Sequence, residues 1–121
     1  MTVKAISLRP FIGAKNFAES QRFYNDFGFE EVILSHNMSV FTIDKCSFYL
    51  QDAYVKDWID NSMIFLEVEN VELYWQELVA LDLTNKYKTV RLVPIRKEAW
   101  GKECFVHDPS GVLWHIGEFN K

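Results

Sequence analysis

Two periodicities run along the chain, and each predicts its own kind of element. Residues 4–14 alternate with period two, which predicts a strand with Leu8, Pro10 and Ile12 on one face and Ser7, Arg9 and Phe11 on the other. The period then lengthens. Phe17, Ser20, Tyr24 and Phe27 recur at helical spacing, with Asn16 placed to cap the first turn and Gly28 to end the last. Residues 29–34 return to a strand, Ser35-His36-Asn37 to a turn, and residues 38–43 and 46–51 to a hairpin around Asp44-Lys45. Residues 52–61, which carry Tyr54 and Trp58, read as a loop or a short helical turn.

The order then repeats. Residues 63–68 read as a strand, Asn70 as a cap and residues 71–81 as a helix. Phe11 and Asn16 recur as Phe65 and Asn70 at one constant offset. The helix face Phe17, Ser20, Tyr24 and Phe27 falls on Val71, Tyr74, Leu78 and Leu81. Such a repeat implies two copies of one structural unit, about 4–52 and 62–119, in a single domain spanning 1–121. Residues 83–88 read as a polar connection, with Lys86-Tyr87-Lys88 a solvated surface. Residues 90–96 read as a strand whose Pro94 marks an edge or a bulge. The closing stretch, 104–119, is a hairpin around Asp108-Pro109-Ser110-Gly111, where Pro presets one backbone angle and Gly accepts a conformation that other residues resist. Cys104, Val106, Val112, Trp114 and Ile116 give it an apolar face that suits a core. Phe105, His107, Leu113 and His115 give it a mixed face that suits a pocket. The fold class is α+β, built from two β-α-β-β-β units.

Composition narrows the function. With 121 residues, 49% of them hydrophobic, the chain can bury a real core, and 16% aromatic content sets it apart from disordered sequences. A net charge of −4 argues against a nucleic-acid partner, which calls for a basic patch. The amino-terminal stretch lacks the apolar run of a signal peptide, and no stretch has the length of a membrane span. The expected location is the cytoplasm, with no membrane partner. Cys46 and Cys104 lack the spacing of a metal-binding pair and read as two reduced, buried thiols.

The doubled unit, Ser20 with Phe23-Tyr24 and Gly28-Phe29 in the first copy, and Asp108-Pro109-x-Gly111 in the second resemble the vicinal oxygen chelate superfamily of glyoxalases, dioxygenases and bleomycin-resistance proteins. Ala99-Trp100-Gly101 ahead of the last hairpin is similar to the bleomycin-resistance branch. The resemblance implies curved sheets that enclose pockets, with helices outside. It also implies a homodimer that sequesters a cationic drug with neither metal nor chemistry. Metal-dependent members carry ligands on the first and last strand of each unit. The matching positions here are Arg9, Tyr49 (with Gln51 beside it), Met63 and His115. Arginine has no lone pair to give and methionine is too soft for such a site, so no metal and no other cofactor is expected.

Running the alternation through both units puts Arg9, Phe11, Tyr49, Phe65, Glu67, Glu103, Phe105, His107 and His115 on the face turned away from the helices, with Trp58 and Trp100 on connections. Aromatic rings with a few placed polar groups suit a small-molecule pocket, although such residues also fill sheet interiors and dimer contacts. His115 reads as a pocket hydrogen-bonding group or a satisfied structural histidine. Arg9 reads as a ligand clamp or as the ion-pair partner of Glu67 or Glu103. Trp58 and Trp100 read as stacking platforms or loop packing, and Trp75 and Trp114 as helix–sheet packing. The expected function is metal-free binding of a small aromatic or cationic compound by a homodimer, with no catalytic residue. The alternatives are a metal-dependent lyase, isomerase or dioxygenase, and an interaction module whose grooves are filled by its own side chains.

Overall fold

In the computed structural model, which describes residues 2–121, the two asparagine caps form as the sequence predicts. Asn16 Oδ1 accepts the Glu19 N–H at 3.0 Å, and Asn70 Oδ1 accepts the Leu73 N–H at 3.0 Å. The first unit runs β1 (Phe11–Gly13), α1 (Phe17–Asp26), β2 (Glu30–Ser35), β3 (Met38–Ile43) and β4 (Cys46–Gln51). A short helix, α2 (Lys56–Asp60), leads to the second unit. That unit comprises β5 (Met63–Glu67), α3 (Val71–Ala80), α4 (Leu83–Lys86), β6 (Arg91–Glu98), β7 (Gly101–His107) and β8 (Leu113–Phe119). The repeat is real at the level of topology. The sheets run β1-β4-β3-β2 and β5-β8-β7-β6, each with one parallel pair, β1 with β4 and β5 with β8.

Helix α1 packs on β2 and β4, and α3 packs on β6, β7 and β8. The apolar faces meet in one cluster drawn from both units, including Phe23, Phe41, Phe48, Leu50, Leu78, Val106, Trp114 and Ile116. Its centre is a polar clasp between the copies. Tyr24 Oη donates to Asp108 Oδ2 at 2.6 Å and accepts the Trp114 indole N–H at 3.0 Å. Asp108 Oδ1 accepts the backbone N–H groups of Ser110, Gly111 and Val112 at 2.9, 2.8 and 2.9 Å. These bonds meet the demand that a buried polar group find partners.

Several expectations are corrected. The first strand covers only three residues of the predicted 4–14. Pro10 accepts the Tyr49 N–H at 2.9 Å but has no N–H of its own to extend the ladder. Residues 2–10 therefore form an exposed arm, and Leu8, expected to face the helices, is 94% exposed. Cys46, at the start of β4, is exposed, whereas Cys104 is buried. The connection 83–88 contains α4. Leu83 and Tyr87 are buried there, since Tyr87 packs edge-on against Phe23 at 5.5 Å and donates to Asp26. Pro94 does mark both an edge strand and a bulge: β6 lies at the sheet edge, with a register shift between Val93 and Arg96. Among the described residues, no helix is long and apolar enough to cross a membrane.

Candidate functional site

The register of the second sheet lays out in rows the face turned away from the helices. Val93, Phe105, His115 and Phe65 lie side by side across β6, β7, β8 and β5. Arg96, Glu103, Gly117 and Glu67 form the next row, and Arg91, His107, Leu113 and Met63 the row on the other side. His115 is the centre. The Phe105 ring lies 5.0 Å away at 67°, and Phe65 lies 6.5 Å away at 30°. His115 Nδ1 is 2.8 Å from Glu103 Oε1, whose residue is only 8% exposed. That contact fixes the imidazole's orientation, and Nε2 makes no hydrogen bond to any described residue.

Beside His115, Gly117 makes room for rings. A Cβ at Gly117 would stand 2.5 Å from the Phe65 ring and 3.2 Å from Trp100. Phe65, Trp100 and Phe119 therefore settle over the strand with centroids 5.7, 5.6 and 5.2 Å apart. The Arg96 guanidinium carbon lies 5.6 Å from the Phe105 ring centroid.

The first sheet carries a second, separate group. Phe11 stacks on Tyr49 at 4.8 Å and 27°, and Arg9 Nη1 donates to Tyr49 Oη at 3.4 Å. Arg9 thus finds a phenol rather than Glu67 or Glu103, and Glu103 is engaged by His115. Among the described residues no ring pair, hydrogen bond or ion pair joins this group to the His115 group. Trp58 stands on α2, 70% exposed, and makes no ring contact with either.

Strand β5 also edges two hollows. One, about 410 Å³, lies between the sheets and is lined by Phe29, Phe48, Ile64, Phe65, Leu66 and Trp114, with Glu67 at its margin. The other, about 470 Å³, shares Cys46, Leu66 and Glu67 with it and is bordered by Asp44, Glu69 and Glu77. An apolar hollow thus abuts four carboxylates, and Arg9 lines neither.

No protein-family model matches the chain, and no curated protein sequence matches it. Solved structures do. The bleomycin-binding protein of bleomycin-producing Streptomyces verticillus, complexed with copper(II)-bleomycin, superposes with a TM-score of 0.81 at 18% identity, covering 98% of this chain and 100% of that one. The bleomycin resistance determinant encoded on transposon Tn5 gives 0.78 at 12% identity, covering 97% and 100%. Lactoylglutathione lyase from Agrobacterium tumefaciens gives 0.69 at 16% identity, covering 93% and 92%. The chain has the glyoxalase/bleomycin-resistance fold.

Within that fold, the four positions matched to metal ligands can be tested on geometry. Arg9 is turned onto Tyr49, Met63 is 65% exposed at the start of β5, and His115 Nδ1 is engaged by Glu103. Among the described residues, no group of three or more His, Cys, Asp and Glu side chains is placed to hold a metal ion. This donor set does not fit a divalent cation.

The register places Phe65, Glu67, Glu103, Phe105, His107 and His115 on one face of the second sheet, as alternation predicts, and Trp100 joins Phe65 from the β6–β7 turn. Phe119 was missed, although continuing the same parity from His115 through Gly117 reaches it. Arg96 was missed because the bulge at Pro94 shifts parity, so Val93 and Arg96, an odd number of residues apart, share a face. The acidic rim of Asp44, Glu69 and Glu77 lies on connections and a helix, where strand parity gives no signal.

Proposed function

We propose that this protein is a metal-free, cytoplasmic binding protein that sequesters a planar, cationic small molecule as a homodimer. The observation that carries the reading is the contact between two hollows along β5: an aromatic-lined cavity that opens beside Asp44, Glu67, Glu69 and Glu77. Apolar burial supplies affinity, and the carboxylates select positive charge. Phe65, Trp100, Glu103, Phe105 and His115 extend the surface onto the helix-free face of the second sheet, with His115 Nε2 available to a ligand. Arg9, Phe11 and Tyr49 form a second aromatic patch at the dimer, and Trp58 marks the approach from α2. The solved neighbours that carry bleomycin in their names support the choice of first ligand. Unpaired Cys46 and Cys104 support a reducing compartment.

The test is a fluorescence titration of EDTA-treated protein with bleomycin, checked by calorimetry. Saturable binding of about one drug per chain in the micromolar range or tighter, near −8 kcal/mol, is expected. Trp114 lines the aromatic hollow, so a signal that survives both Trp100→Phe and Trp58→Phe places the drug there, whereas a signal lost with Trp100→Phe places it on the sheet face beside His115. Absence of binding removes the drug. Stoichiometric metal on freshly purified protein overturns the metal-free reading.

A further inference from the structure

A different cleft opens at the seam between the two units. It measures about 790 Å³ and is walled by the β1–α1 connection on one side and the Asp108–Gly111 turn with the start of β6 on the other. The chain as a whole carries −4, yet this cleft collects Lys15, Lys88, Arg91 and His107 against one carboxylate, Glu19. None of the three permanent cations forms an ion pair among the described residues, whose Lys and Arg ion pairs are Lys56–Asp60, Arg96–Glu98 and Lys102–Glu72. Lys15 is drawn over the Tyr54 ring, 5.6 Å from its centroid. Arg91 lies directly across from His107 in the β6–β7 register.

Hydrogen bonds tie the two walls together. Ser110 and Gly111 donate to Asp108 Oδ1, the Lys15 N–H donates to Ser110 Oγ at 2.9 Å, and Thr89 Oγ1 donates to the Pro109 carbonyl at 2.7 Å. Three cations without ion-pair partners among the described residues, facing one acid, form a cleft of net charge about +2, the complement of a dianion. An arginine fork beside two lysines suits a phosphate more closely than a single carboxylate.

We propose that this seam cleft binds a phosphate group, free or carried by a small organic molecule, through Lys15, Lys88 and Arg91. The site is independent of the β5 hollows and stands whether or not those capture a drug.

Calorimetric and NMR titrations of the full chain, with inorganic phosphate in one arm and phenyl phosphate in the other, test this against chloride at matched ionic strength. Saturable binding at one site per chain is expected, with amide shifts centred on residues 15, 88 and 91 and affinity that falls as salt rises. Lys88→Ala with Arg91→Ala should weaken binding by about tenfold or more. Both side chains are exposed, so the fold is kept, and Arg91→Glu alone provides an independent charge reversal that should act in the same direction. Binding of phosphate alone identifies a free anion, and preferential binding of phenyl phosphate identifies an organic monoester. A response equal to that of chloride, or undiminished binding by the variants, overturns the proposal.

Discussion

Asp108 gives one carboxylate oxygen to three backbone N–H groups and the other to Tyr24. Burial pushes its carboxyl above the ordinary value, while the hydrogen bonds from Tyr24 and the turn pull it back. Replacing it by alanine leaves those donors unpaired in the interior. Asp108→Ala should therefore cost about 3 kcal/mol or more, read from the shift of the denaturant midpoint. Glu31 shows the opposite balance. Partial burial pushes its carboxyl up, but hydrogen bonds from Ser39, Asn25 and Gln21 outweigh that and leave it below its ordinary 4.5. A carboxyl lowered by folding adds stability above its unfolded value and loses that contribution as pH falls through the folded one. Glu31→Gln should lower the melting temperature at pH 7 and flatten its fall below about pH 4.5, as thermal scans across pH would show. His107 runs the other way from a base in an ion pair. Burial and then the charge of Arg91 hold its imidazole below the usual histidine value, so it remains neutral in the seam cleft at neutral pH.

Gly28 and Asp82 close the principal helices of the two units at equivalent positions, and both have positive φ, 109° and 58°. Glycine takes that conformation freely, whereas aspartate does so under strain that Asn85 partly offsets by donating to Asp82 Oδ1 at 2.7 Å. Asp82→Gly should therefore raise stability by about 0.5–1 kcal/mol, and Gly28→Ala should lower it by about 1 kcal/mol. A Cβ at Gly28 meets nothing within 4 Å, so the second effect would measure backbone strain alone in a chemical melt. The same two helices show what the sequence makes legible. Caps, helical faces and strand alternation are local, so Asn16, Asn70, Gly28 and the paired order of strands could all be read in advance. Strand alternation reports which way a side chain points but not whether a neighbouring strand exists, so residues 4–10 looked like a strand and are an arm. It also loses count at a bulge, which hid Arg96. Tyr87, flanked by two lysines, gave no local sign of the buried partner it finds in Phe23. The part of the proposed site carried on strands is visible by parity; the acidic rim of Asp44, Glu69 and Glu77 depends on how a turn, a connection and a helix meet.

At the scale of the molecule, the arm and the helix-free face of the second sheet both expose large apolar side chains. Val3, Ile6 and Leu8 are 77%, 98% and 94% exposed, and Met63, Phe65 and Phe119 are exposed on the second sheet. In the proposed homodimer the arm is the part a second copy would cover, since exposed apolar surface of this kind marks an association site. Deleting residues 2–8 should shift the protein from dimer to monomer in sedimentation velocity while leaving the helical circular dichroism unchanged. The clasp between the halves has its own consequence. Tyr24 belongs to the first unit, and both Asp108 and Trp114 belong to the second; the acid in the first unit's own hairpin turn, Asp44, faces water. The two copies have become lock and key. A chain made of two first units would carry the phenol twice with no interior acid to receive it, and a chain of two second units would carry the acid with no phenol. The two units share one topology but form an ordered pair in which neither half can replace the other.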